Sequence, residues 1–397
     1  MLLSTALIFI VSITLALLFE KIRIPGLVAM MITGIVLGPY VLYLIDARIL
    51  ALSLDLRQIA LIVILLRAGL SLDLKDLKKI GRPALLLSFV PATLEIIVIT
   101  IFAPMLFGMT YLDAAILGTV LAAVSPAVIV PRMIKMMESG LGKDKSVPQL
   151  IMAGASIDDI FVIVLFYSLA NTSSGQSFNP LALLNVPISI ILGTTLGVLS
   201  GISFVALFKK IHVRDTIKVL IMFGISFLFV VLEDVTKGFV PFSGLIGVIA
   251  FGITILKLYP VLAKRMLSKF GKIWVFAEIV LFVLVGAAVD ITVVGTVGLL
   301  AIALIGIGLV GRSFGVLASL VKTKLNKKEK AFVTMSYIPK ATVQAAIGSI
   351  PLALGIASGH TILAIAVLAI FITAPLGALL IDLTNKKLLK QVELRQE

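Results

Sequence analysis

Long apolar runs alternate with short polar breaks along the whole chain. Runs bounded by charge, glycine and proline fall at 2–19, 25–44, 58–71, 83–108, 113–131, 147–170, 180–208, 216–232, 239–256, 273–289, 293–320, 331–356 and 360–381. At about 1.5 Å per helical residue, most of them are long enough to cross a hydrocarbon layer about 30 Å thick. Backbone polar groups in lipid must be satisfied inside the protein, and a helix does this within each segment. The pattern therefore predicts an all-α polytopic membrane protein of about thirteen transmembrane helices.

Composition excludes the soluble alternatives. Of 397 residues 60% are hydrophobic and 14% charged, and the mean hydropathy is +1.20, outside the range of globular domains. A net charge of +14 suits nucleic-acid binding only on a soluble domain with a basic face, and none is visible. The absence of cysteine excludes disulfides, thiolate metal sites and cysteine nucleophiles. Met1 to Phe19 carries no charge before Lys21 and Arg23, so the first run reads as a retained helix rather than a cleaved leader.

Loop charge orients the chain. Loops after odd-numbered runs, together with Lys386, Lys387, Lys390 and Arg395, hold 28 of the 34 basic residues; the opposite side has only Arg48, Arg57 and Lys237. The positive-inside rule then predicts an N-out, C-in topology with a short basic cytoplasmic tail at 386–397. Arg67 lies near a segment end and is expected to snorkel. His212, in a basic loop, and His360, at a helix start, are too peripheral to be transport ligands.

Two runs are interrupted in matching ways. One holds Ser125-Pro126 with a second proline at Pro131, the other Pro339-Lys340-Ala341-Thr342 with a second proline at Pro351. Each proline removes a backbone donor and clashes with the preceding turn. Seven segments separate the two, an odd number, so they enter the membrane in opposite directions, as inverted repeats require. The expected plan is repeat one at about 1–170, a connector helix at about 180–208 and repeat two at about 216–385. Its discontinuous helices cross near the midplane, where opposed dipole ends need charged neighbours.

The candidate chemistry lies at that depth. Asp158 and Asp159 are adjacent near the centre of the run 147–170, Glu95 is near the middle of its run, and Arg312 and Lys340 are the deep cations. Charge in hydrocarbon is costly and marks ion paths, proton relays or ligand sites. Three acids against two bases are neutral only when one acid is protonated or one cation is bound, which is the arithmetic of a proton/cation exchanger. Residue by residue, plainer roles stand beside these. Glu95 and Arg312 can be a structural ion pair, Lys340 can cap the freed carbonyls of its own broken helix, and Ser125 can ligate a cation or only satisfy backbone.

The stretches "AAVSPAVIVPRM", "SIDDIFVIVLF", "LLRAGLSLD", "FVLVGAAVDI", "GRSFGVLASL" and "YIPKATVQAAIGSI" resemble the monovalent cation/proton antiporters, and most closely the NHA subgroup of sodium/proton antiporters. The resemblance implies a homodimer in the lipid bilayer, with core helices at about 83–170 and 293–381 and the remainder as dimerisation scaffold. It also implies an elevator-like form of alternating access. Asp159 is then the ion and proton carrier, Asp158 its partner, and the two bind Na⁺ as transported substrate with help from Ser125. Arg312, Glu95, Lys340, Pro126, Pro339 and Thr342 form the charge network and broken-helix support. Arg312 stands where many two-aspartate antiporters have a lysine; arginine does not deprotonate, so it is no second proton carrier. No cofactor and no enzymatic activity are expected, and the expected location is the cell membrane of a prokaryote. Competing readings are K⁺/H⁺ antiport, a cation channel and, more remotely, an intramembrane aspartyl protease, whose two acids would come from separate helices.

Overall fold

The computed structural model describes residues 1–22, 24–71, 81–173, 182–236 and 242–391. Among the described residues eight helical spans are long and apolar enough to cross a membrane, two of which (Arg82–Phe107 and Tyr111–Met137) each run over two of the elements below, and shorter apolar helices accompany them. In chain order the elements are α1 (Leu2–Lys21), α2 (Gly26–Leu37), α3 (Ala47–Ala51), α4 (Ser53–Ser71), α5 (Arg82–Leu87), α6 (Val90–Phe107), α7 (Tyr111–Ala122), α8 (Pro126–Glu138), α9 (Val147–Ser173), α10 (Ala182–Lys210), α11 (Asp215–Thr236), α12 (Gly244–Leu258), α13 (Pro260–Ala287), α14 (Ile291–Ser319), α15 (Lys327–Ser336), α16 (Thr342–Ile347), α17 (Ile350–Ala353) and α18 (Gly359–Leu388). Among the described residues no strand longer than an isolated bridge occurs.

Two compact units emerge. The first comprises Met1–Ser53, Leu74–Ser174 and Leu281–Glu397, the second Leu54–Asp73 and Gly175–Val280. In the second, α10 lies close along α12. A Cβ on Gly193 would sit 2.4 Å from the Ser243 carbonyl oxygen, and one on Gly197 2.3 Å from that of Gly247. Small residues substitute here for a hydrophobic driving force that lipid does not supply.

In the first unit, α6 and α14 pack against each other through the small residues of α14. A Cβ on Gly315 would meet the Pro91 Cα at 2.5 Å, and one on Gly311 the Val98 Cγ2 at 2.9 Å. This close approach lets Glu95 on α6 reach Arg312 on α14. Asp290 caps α14 by accepting from the Thr292 N–H, and the Thr292 hydroxyl, which donates to the same carboxyl at 2.6 Å, is the main cause that holds it below the usual carboxylate range, with the backbone bond next.

Both interrupted runs are broken where the prolines predict. Helix α7 ends at Ala122, Ala123 and Ser125 are extended, and α8 starts at Pro126. Helix α15 ends at Ser336, and α16 begins at Thr342. The run 83–108 has an extra interruption at Ser88 and Phe89, just before Pro91.

Several basic residues expected in loops instead lie on helices. Lys264, Arg265, Lys269 and Lys272 belong to α13, and Lys386 and Lys387 to α18, because charged turns extend apolar helices beyond their hydrophobic stretch. Arg57 is a buried residue of α4 rather than an outer-loop cation. Glu233 lies on α11 and accepts a 2.8 Å hydrogen bond from the Gly244 N–H at the start of α12. Arg67 lies over the Trp274 ring, 5.5 Å from its centroid. Arg23, Lys75, Lys78, Lys79, Lys237 and Arg395 lie outside the described residues.

Candidate functional site

A helix that stops inside a membrane leaves carbonyls without partners at one end and N–H groups without partners at the other. At the first break these groups are met from α9, α14, α16 and the second break. The Leu121 carbonyl accepts from Lys340 Nζ at 2.5 Å and from Gln344 Nε2 at 3.3 Å. The Ala122 carbonyl accepts from Arg312 Nη1, and that of Ala123 from Gln344 Nε2 at 2.9 Å. Going on, the Val124 N–H donates to Asp158 Oδ2 at 3.0 Å, and the Ser125 N–H to the Pro339 carbonyl at 2.8 Å. The last of these bonds joins the two breaks directly.

The second break is held by neutral groups and one cation. The Lys340 N–H donates to Thr373 Oγ1 of α18 at 2.9 Å, and the Tyr337 carbonyl accepts from Arg312 Nε at 2.8 Å. Pro339 packs so tightly on α18 that a Cβ at Gly377 would overlap its ring at 2.3 Å.

The ionisable groups form one chain. Lys340 Nζ lies 2.7 Å from Glu95 Oε1, Arg312 Nη1 3.1 Å from Glu95 Oε2, and Arg312 Nη2 2.6 Å from Asp158 Oδ2. Glu95, Asp158, Arg312 and Lys340 are all buried. In a surround of low dielectric such pairing is the condition for these charges to exist at all. Arg312 therefore uses its whole fork, with two carboxylates and two carbonyls on three nitrogens, which a lysine ammonium could not span.

Asp159 is set apart from this chain. Its Oδ1 has no hydrogen-bond partner among the described residues, and it keeps 5% exposure against 0% for its neighbour Asp158. Adjacent positions on a helix point about 100° apart, so one of the pair can engage the break while the other does not. Five further buried oxygens around the breaks also lack partners among the described residues: Ser125 Oγ, Asp158 Oδ1, the Tyr337 hydroxyl, Thr342 Oγ1 and Gln344 Oε1. The arrangement thus offers carboxylate, hydroxyl and amide oxygens to a proton or a hard cation.

All the singled-out residues fall in this one region, with Pro126 and Pro339 at the two breaks. One reading is corrected: Lys340 caps Leu121 of the other broken helix and not the carbonyls of its own. Sequence reasoning missed Gln344, Thr373 and Tyr337. It also missed Gly154 on α9, where a Cβ would lie 2.0 Å from the Tyr337 hydroxyl. Tyr337 is buried beneath Arg312, 5.4 Å from ring centroid to guanidinium. The signal for Gln344 was present in the sequence, as a polar residue one helical turn past Lys340.

Membrane-spanning helices interrupted at two breaks that bond to each other, with a charge network where they meet, define the sodium/proton antiporter fold. Residues 6–384 match the sodium/hydrogen exchanger transmembrane family, and the chain belongs to that family. It is 37% identical over 362 residues to human sodium/hydrogen exchanger 9B2, covering 86% of this chain and 65% of the relative. With the mouse 9B2 protein it shares 34% over 415 residues, covering 98% and 74%. The chain therefore spans less than two thirds of the length of the human relative. Such relatives are transporters rather than enzymes. The fold is similar to that of the sodium proton antiporter MjNhaP1 from Methanocaldococcus jannaschii, with a TM-score of 0.80 over 94% of both chains at 19% identity.

Proposed function

We propose that the chain is a secondary antiporter that exchanges Na⁺ or Li⁺ for protons, with proton and cation competing for Asp158 and Asp159. The observation that carries this reading is the pair itself: two buried carboxylates, each with an oxygen that has no partner, beside a break whose backbone groups are otherwise satisfied. Glu95, Asp158 and Asp159 face the fixed charges of Arg312 and Lys340, which leaves one negative charge to be neutralised. A proton neutralises it on one side of the membrane and a cation on the other. Ser125 supplies a hydroxyl oxygen to the cation, and Thr342, at the first turn of α16, another. Arg312 is held by Glu95, Asp158 and two carbonyls and stays charged, so the exchanged protons come from the aspartates.

The working assembly is a homodimer in the bilayer, oriented N-out and C-in. Core helices at about 83–170 and 293–381 move in an elevator-like way against the remaining helices. Support comes from the family match and from the asymmetric distribution of basic residues. The animal relatives lend no support to a prokaryotic cell membrane as the location.

The test is dissipation of an imposed pH gradient in proteoliposomes on addition of Na⁺, Li⁺ or K⁺. Saturable exchange is expected with Na⁺ and Li⁺ and loss of it in Asp159→Asn, with the variant still folded. Full activity in Asp159→Asn, or currents far above carrier rates, would remove the reading.

A further inference from the structure

Gln344 has a feature that backbone support alone does not explain. Both hydrogen bonds of its Nε2, to the Leu121 and Ala123 carbonyls, fix which way the amide faces. Its oxygen is thereby turned away from the break carbonyls, and Gln344 is fully buried with that oxygen without a partner among the described residues. Leaving a buried amide oxygen unpaired is costly, the more so where no water can reach. A side chain needed only to cap carbonyls could have been a lysine, as at position 340. An amide is the residue type that donates at one end and offers a neutral oxygen at the other.

Ser125 and Asp158 are bonded into the same break, Thr342 precedes Gln344 by two residues and Asp159 adjoins Asp158, and each of the four has an oxygen without a partner among the described residues. We propose that Gln344 Oε1 is a neutral ligand of the transported cation and a determinant of which monovalent ion is preferred. This rests on the antiport reading and adds a specificity residue to it. A carboxylate attracts every small cation and proton, whereas the number of neutral oxygens and the space between them discriminate by ion size. With one neutral ligand fewer, the smaller Li⁺ is served better than Na⁺.

The experiment compares KM for Na⁺ and Li⁺ in proteoliposomes of the full chain carrying Gln344→Met or Gln344→Glu. Both variants lose the donors to Leu121 and Ala123, but only the glutamate keeps an oxygen. Gln344→Met is expected to raise KM for Na⁺ about tenfold, the scale of one hydrogen bond to a charged group, and to raise KM for Li⁺ by about threefold or less. In Gln344→Glu the Na⁺-to-Li⁺ ratio should stay within about twofold of the wild type, a difference worth less than about 0.5 kcal/mol. If both variants change the two ions by one factor, or lower only the maximal rate, Gln344 is a brace of the break and the proposal is overturned. Should Gln344→Met not fold, Gln344→Asn pulls the amide back by one methylene and must shift the ratio the same way; an unchanged ratio overturns it. Absence of cation-driven exchange in the wild type would instead remove the antiport reading and this inference with it.

Discussion

The two broken helices share a backbone plan and divide the chemistry between them. The first break, between α7 and α8, carries no ionisable residue, and its backbone groups are bound by Lys340, Gln344, Arg312, Asp158 and Pro339. The second, between α15 and α16, carries Lys340 and extends it across to Leu121 and Glu95. The division holds for the whole network: Glu95, Asp158 and Asp159 belong to the first half of the chain, Arg312 and Lys340 to the second. Even the Glu95–Arg312 pair joins the two halves of the chain, 217 positions apart. The lesson is that one half of the chain can carry the titratable acids and the other the fixed cations, so that each half is costly without its partner.

A second contrast lies at the starts of the broken helices. Asp113 in the first turn of α7 accepts from Ser358, just ahead of α18, at 2.7 Å. Glu329 in the first turn of α15 is bound by Lys145, just ahead of α9, at 2.8 Å, and closes a capping box with Asn326. The clasp is the same, but in one the donor is a hydroxyl and in the other an ammonium.

These contrasts can be broken in order of effect. Arg312→Leu strands two carboxylates and two carbonyls and is expected to cost about 3–5 kcal/mol. Lys340→Met should cost less, because Gln344 still serves Leu121 and Arg312 still pairs Glu95. Thermal unfolding in detergent checks the ranking, and the reverse order would show that the network does not centre on Arg312. Gly154→Ala forces the Tyr337 hydroxyl out of place, at about 1–3 kcal/mol for a small-to-large change in a packed site. Adding Tyr337→Phe removes the overlapping atom and should restore most of the loss; no rescue would mean that α9 and the second break are not in steric register. At the clasps, Lys145→Met and Ser358→Ala should each cost about 1 kcal/mol, since Lys145 is 30% exposed and its pair is discounted by solvent. High salt should blunt the first effect and leave the second unchanged. Equal salt dependence would erase the distinction.

Much of this was legible in the sequence for one reason: charge and proline stand out against an apolar background. Asp158, Asp159, Glu95, Arg312 and the two proline steps announce themselves because hydrocarbon makes each costly without a partner. What escaped depends on the third dimension. Nothing in the order of residues shows that Lys340 reaches the opposite break or that the hydroxyl of Tyr337 rests on Gly154. Arg57 and the cations of α13 were misplaced because amphipathic ends carry charge without leaving the helix. Gln344 was overlooked because a neutral polar residue inside a membrane helix is common, and only its two fixed donors and unpaired oxygen set it apart.

Competition between proton and cation at the aspartate pair is the central claim, and the pH dependence of KM for Na⁺ tests it most directly. Initial rates of Na⁺-driven proton exchange, measured across pH, should show KM rising about tenfold for each unit of acidification below the carboxylates' working pKa, with the maximal rate unchanged at saturating Na⁺. A KM that stays constant while the maximal rate falls with acidification would place the proton and the cation at different sites and contradict the account.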